Sequence, residues 1–125
     1  MGKSVLIIGQ DPADIDFDAP DVPKGVSAAT IMEGLNASVA RLEGAGHSVA
    51  LLLTRDAETV ERQAREALAA AQYDVIVVGA GLRTLPPMAL LFERLMNVLH
   101  ERAPAAKLAF NSRPDDSDAA ALRWL

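Results

Sequence analysis

Three short, unbroken apolar runs do most to limit what this chain can become: Val-Leu-Ile-Ile at 5–8, Val-Ala-Leu-Leu-Leu at 49–53 and Val-Ile-Val-Val at 75–78. A strand with one wet face alternates apolar and polar residues, whereas a strand covered on both faces reads as a continuous apolar run. Such runs predict a parallel sheet with helices on both sides. A fourth, weaker segment, Lys107-Leu108-Ala109-Phe110-Asn111, fits an edge strand.

Helical periodicity fills the gaps between these runs. Ala28, Ile31, Met32, Leu35, Val39 and Leu42 recur at steps of three and four, the repeat of one helix face. Two starts compete for this helix: Ser27 as N-cap, or a Thr30-x-x-Glu33 capping box; Gly44-Ala45-Gly46 supplies the stop. A second helix is expected from about residue 57 to 71, capped by Asp56 and lined by Val60, Ala64, Leu68 and Ala71. The third opens at Pro86 or Pro87 and runs to about Arg102, with Leu91, Leu95, Val98 and Leu99 on one face, widened by Leu90, Phe92 and Met96. So broad an apolar stripe on helix 88–102 implies either deep burial or a surface shared with a second copy of the chain, and a homodimer is expected on that ground. A short terminal helix begins near Asp115 or Ser117 and carries Ala119, Leu122 and Leu125.

The order β-α-β-α-β-α-β-α, with connections short enough to demand right-handed crossovers, predicts one α/β domain over 1–125: a three-layer α/β/α sandwich around a four-stranded parallel sheet of strand order 2-1-3-4, flavodoxin- or Rossmann-like in plan. At 125 residues, such a chain has the length to bury a core without metal or disulfide staples. It has no cysteine, which removes disulfides, thiolate nucleophiles and cysteine-held metal clusters. The formal charge is −5, with no basic stretch, so a nucleic-acid partner is not expected. No signal peptide, myristoylation site or run of the roughly 18 apolar residues a membrane span needs can be read. A cytoplasmic protein with no membrane partner is the expectation.

In open parallel sheets, ligands sit beyond the carboxyl ends of the strands where strand order reverses, here between strands one and three. The segments at those ends read Gly9-Gln10-Asp11-Pro12, Thr54-Arg55-Asp56, Gly79-Ala80-Gly81-Leu82-Arg83-Thr84 and Asn111-Ser112-Arg113-Pro114. Three of the four carry an arginine, the side chain best shaped to grip a carboxylate or phosphate. Arg83 and Arg113 lie nearer the switch point than Arg55. The competing reading pairs each arginine with Asp11, Asp56, Asp115 or Asp116 in ordinary surface ion pairs worth about 0–1 kcal/mol. The ligand-binding candidates are Gln10, Asp11, Gly81, Arg83, Asn111 and Arg113, and the expected partner is a small phosphorylated or carboxylated metabolite. The glycines do not complete G-x-G-x-x-G and there is no P-loop, so a dinucleotide site of the usual Rossmann kind is not expected and the cofactor is unknown.

Between residues 10 and 26 lies a long irregular stretch holding Asp11, Asp14, Asp16, Asp18 and Asp21, with no base before Lys24. Asp14, Asp16 and Asp18 alternate like part of a calcium loop, but the glycine and distant glutamate of an EF-hand are missing, and a solvated acidic loop or a lid is the plainer reading. Phe17 within it either closes over a ligand or pins the loop. Both histidines, His47 and His100, fall at the opposite, amino edge, and no nucleophile elbow surrounds Ser112. Asp11 is the one catalytic candidate, an acid or base for hydrolysis or proton transfer, and no metal ligands are assigned. The alternative to a ligand site is a non-catalytic interaction or oligomerisation domain using helix 88–102 and Leu122-Arg123-Trp124-Leu125.

The strand and helix order resembles the flavodoxin-like group, which includes receiver domains, flavodoxins and cobalamin-binding domains. The motifs differ: Gly79-Ala80-Gly81 stands where a receiver carries its phospho-accepting aspartate, Gln10-Asp11-Pro12 where a flavodoxin has its Ser/Thr-rich phosphate loop, and no histidine follows Asp11-Pro12-Ala13 as a cobalamin loop requires. The segments Gly9-Gln10-Asp11-Pro12 and Phe110-Asn111-Ser112-Arg113-Pro114 also look like those of small bacterial α/β proteins, a likeness that implies no activity.

Overall fold

The computed structural model describes residues 2–20, 22 and 25–125; Asp21, Pro23 and Lys24 of the acidic stretch lie outside the described residues. Four strands, β1 (Ser4–Gln10), β2 (Ser48–Thr54), β3 (Val75–Val78) and β4 (Lys107–Phe110), form one parallel sheet in the order β2-β1-β3-β4. The central pair is in register from Val5↔Val75 to Ile8↔Val78. Because side chains alternate across a strand, Leu6, Ile8, Ile76 and Val78 enter one layer and Val5, Ile7, Val75 and Val77 the other. Helices α2 (Val60–Ala70) and α3 (Ala89–Arg102) cover the first layer; α1 (Ala28–Gly44) and α4 (Ser117–Leu122) cover the second. This is the three-layer plan and strand order that the sequence pattern predicts, with β4 at an edge as expected.

Local chemistry settles the helix boundaries. Of the two starts for α1, Ser27 is the N-cap: its Oγ accepts from the Thr30 N–H at 3.2 Å while Thr30 Oγ1 accepts from the Ser27 N–H at 2.9 Å. Thr30 is therefore the third residue of the helix, and the Thr30-x-x-Glu33 box does not form. At the other end Gly46, at φ +95, takes the left-handed turn that leads into β2. Helix α2 starts later than the expected residue 57, because the Asp56 carboxylate accepts from both the N–H and the hydroxyl of Thr59, at 2.9 and 2.8 Å, and holds 56–59 as a turn. Pro86–Met88 form a single 3₁₀ turn before α3 begins at Ala89.

Helix α4 and the turn before it are tied to α1. Arg41 grips the Asp118 carboxylate from Nε and Nη2, at 2.8 and 2.9 Å, and also donates to the Asp115 carbonyl. Ser38 donates to the Pro114 carbonyl at 3.1 Å. Gly34 lets the two segments approach, since a Cβ there would sit 3.0 Å from both the Asp115 nitrogen and the Pro114 Cβ. The Arg41 hydrogen bonds hold the Asp118 carboxyl below its ordinary pKa of 3.8. A carboxylate whose folded pKa is depressed contributes stability above the unfolded value that is lost as pH falls through the folded one. Denaturant melts from pH 7 down to pH 2 should show Asp118→Asn less stable than the parent at neutral pH, with the gap closing below about pH 4; a gap independent of pH would show that the carboxylate charge does not hold α4.

Candidate functional site

At the carboxyl edge of the sheet, a cleft of about 460 Å³ opens between the segment after β1, the start of α1 and the turns after β3 and β4. Its walls are Ile15, Phe17, Val22, Val26, Ile31, Leu85, Pro86 and Pro114, and its polar groups are Gln10, Thr84, Ser112 and Arg113. A smaller hollow of about 80 Å³ lies beside it over the ends of β1 and β3, with Gly9, Leu35 and Gly79 in its lining; Gln10, Ile15, Ile31, Ala80, Gly81 and Pro114 border both. This is the strand-order switch point. Another hollow, of about 430 Å³, opens at the amino edge between 68–74 and 102–106, away from the strand ends and the α1 N-terminus.

The loop after β1 builds one wall by alternation. Ile15 and Phe17 turn inward while Asp14, Asp16 and Asp18 are exposed. Asp14 lies 3.7 Å from Arg55, and Asp16 Oδ1 accepts from the Asp18 N–H at 3.0 Å. The aspartate spacing is thus the outer face of a wall whose inner face is apolar. Among the described residues no group of three or more histidines, aspartates and glutamates converges as metal ligands, and no helix is long and apolar enough to cross a membrane.

The residues singled out from sequence separate into two sets. Gln10, Gly81, Asn111 and Arg113 border the cleft or the hollow beside it. Gly81 is exposed, and a Cβ added there would rest 3.8 Å from Gln10 Oε1. Asn111 is buried and structural as well as local to the site: its Oδ1 accepts from the Ala80 N–H at 2.7 Å, and its Nδ2 donates to Ser117 Oγ at 2.8 Å. Arg113 carries the cleft's guanidinium, 71% exposed and 3.1 Å from Asp115 Oδ1. Asp11 and Arg83 are directed elsewhere. Asp11 Oδ1 accepts from the Ala13 N–H at 3.0 Å, capping a 3₁₀ turn. Arg83 donates to the Asn111 carbonyl and lies 5.3 Å from the Phe110 ring centroid, its Nε buried without a hydrogen-bond partner. One of the two arginines nearer the switch point is thus spent on the β4 side of the sheet.

Two backbone donors of the turn after β4 are also occupied. Asp116 accepts from the N–H groups of Ser112 and Arg113, at 3.1 and 3.0 Å, so the concavity that would hold an external anion is filled by the chain's own carboxylate. Sequence reasoning passed over Ile15, Val22, Val26 and Ile31; the signal for the first was Asp14-Ile15-Asp16-Phe17-Asp18, where the apolar members matter as much as the acidic ones.

The surface of the alternative reading is placed as well. Leu91, Leu95, Val98 and Leu99 of α3 are in the core, Phe92 and Met96 pack against it, and Leu90 is 50% exposed. The other exposed large apolar side chains, Phe110, Leu122 and Trp124, flank β4 and α4, where Arg123 donates to the Phe110 carbonyl at 2.9 Å.

The fold and the cleft together define a small α/β/α sandwich with an apolar-walled pocket at its switch point. No family model matches the chain, and no curated protein matches it significantly.

Proposed function

We propose that the protein binds a small anionic metabolite in the carboxyl-edge cleft. The observation that carries this reading is the coincidence of a 460 Å³ concavity with the strand-order switch point and with the Arg113 guanidinium at its rim. Apolar walls with a few polar groups at one end are the usual make-up of a small-molecule site, and no reaction is assigned to it. A homodimer formed through α3 has less support than the sequence suggested, because the width of that helix's apolar face is accounted for within a single chain.

Gly81→Leu provides the test. Gly81 has an ordinary φ and borders the cleft, so a leucine there fills the space without backbone strain. In a thermal-shift screen at low salt with carboxylates, phosphate esters and nucleotides, a compound at about 100 times its Kd should add about 2.7 kcal/mol of stability and raise the parent's midpoint by several degrees. The rise should be absent in Gly81→Leu. A rise that survives the substitution, or no rise with any compound, overturns the reading.

A further inference from the structure

We infer that the ligand of this cleft is a monocarboxylate with an apolar body, and that phosphate esters and nucleotides are rejected; this rests on reading the cleft as the ligand site. A phosphoryl group is held by several donors at once, from backbone N–H groups, helix ends and paired cations. Here several such donors are engaged within the chain: the Ser112 and Arg113 N–H groups by Asp116, the Ala80 N–H by Asn111, and Arg83 Nη2 by the Asn111 carbonyl, with the Arg83 guanidinium 5.3 Å from the Phe110 ring centroid. Thr84 donates its hydroxyl to the Ala80 carbonyl.

Among the described residues, what faces the cleft is one guanidinium, Arg113, already beside Asp115, with the polar side chains of Gln10 and Ser112. Asp115 engages only the Nε of Arg113, and Asp116 adds a second negative charge to the same turn, so a dianion is repelled more than a monoanion. A single carboxylate suits one guanidinium, whose fork matches its two oxygens. The remaining lining is set by Ile15, Phe17, Val26, Ile31 and Leu85, which gain by covering hydrocarbon and offer nothing to a ribose or a second phosphate.

Isothermal titration of the parent protein with butyrate, hexanoate, octanoate, phenylacetate, octanamide, inorganic phosphate and AMP separates the possibilities, with Gly81→Leu and Arg113→Gln measured alongside and Arg102→Gln as a remote cation control. The linear acids should tighten about fourfold per added methylene until the cleft is filled. Arg113→Gln should weaken octanoate about tenfold or more, Arg102→Gln should leave it unchanged, and Gly81→Leu should abolish it. Ile31→Trp, which fills the cleft from the α1 wall, serves if Gly81→Leu does not fold. Phosphate or AMP binding that Gly81→Leu removes would overturn the carboxylate assignment while leaving the cleft as the site. Octanamide binding as tightly as octanoate would overturn the anionic end. Octanoate binding unchanged in both filled variants, or no binding by any compound, would overturn the site itself.

Discussion

Asn111→Leu should destabilise the protein by about 3 kcal/mol, lowering the thermal midpoint by about 10 °C. The substitution keeps the branching of the side chain, in a larger volume, but removes both of its hydrogen bonds. The Ala80 N–H then loses its 2.7 Å acceptor, and Ser117 Oγ loses the donor at 2.8 Å. Asn111 is only 3% exposed, so the cost arises mainly from polar groups left unpaired near the ends of β3 and β4, with a further part from fitting the larger side chain. Ser117→Ala removes one of the same bonds and should cost about 1 kcal/mol. In a double-mutant cycle the pair should cost less than the sum of the single changes, because both break the Asn111–Ser117 contact. Chemical denaturation of the four proteins is the measurement. A loss below about 1 kcal/mol for Asn111→Leu would mean that the Ala80 turn finds another acceptor and that Asn111 does not hold the two turns together.

Asn111 also marks the limit of what was legible in the sequence. Its place at the end of β4 follows from strand order, and so does its proximity to Gly79-Ala80-Gly81. The central place of β3 follows from composition, since Val-Ile-Val-Val is stable only where both faces are covered. The direction of the side chain does not follow, because it depends on which donor lies across a turn from a different strand. Arg83 and Arg113 present the same difficulty. Both sit at carboxyl ends, and sequence gives them equal standing, yet one meets the Phe110 ring and a carbonyl while the other reaches the cleft rim. Neither contact has a periodic signature, because each joins residues about thirty apart or belongs to an irregular turn. Similarly, the breadth of the α3 stripe is visible in the sequence, but its explanation needs the packed layers: Phe92 and Met96 are half-buried against the core.

Leu35→Ala should cost about 2–5 kcal/mol and alter the cleft together with the core. Leu35 is 3% exposed on α1, packed in the layer that holds Val5, Ile7, Val75 and Val77, and its Cδ1 lies 3.9 Å from where a Gly9 Cβ would be. It therefore lines the small hollow beside the cleft as well as making a core contact. Truncation removes several buried carbons and leaves a void, and collapse into that void is resisted because α1 is fixed at one end by the Ser27–Thr30 cap and along its length by Ser38 and Arg41. The cost should fall in the middle of the range. Leu122→Ala, at a residue 50% exposed, should change stability by no more than about 0.5 kcal/mol. Urea melts should show the Leu35→Ala midpoint falling with an unchanged slope, the sign of lost stability rather than a changed unfolded state. The new void adjoins the hollow over β1 and β3, so the variant should accept a longer or branched acid than the parent, with relative affinity shifting from hexanoate toward octanoate. A stability loss below about 1 kcal/mol would show that α1 does not press on β1 at this point. A full stability loss with no change in chain-length preference would separate the hollow from the space that the ligand occupies.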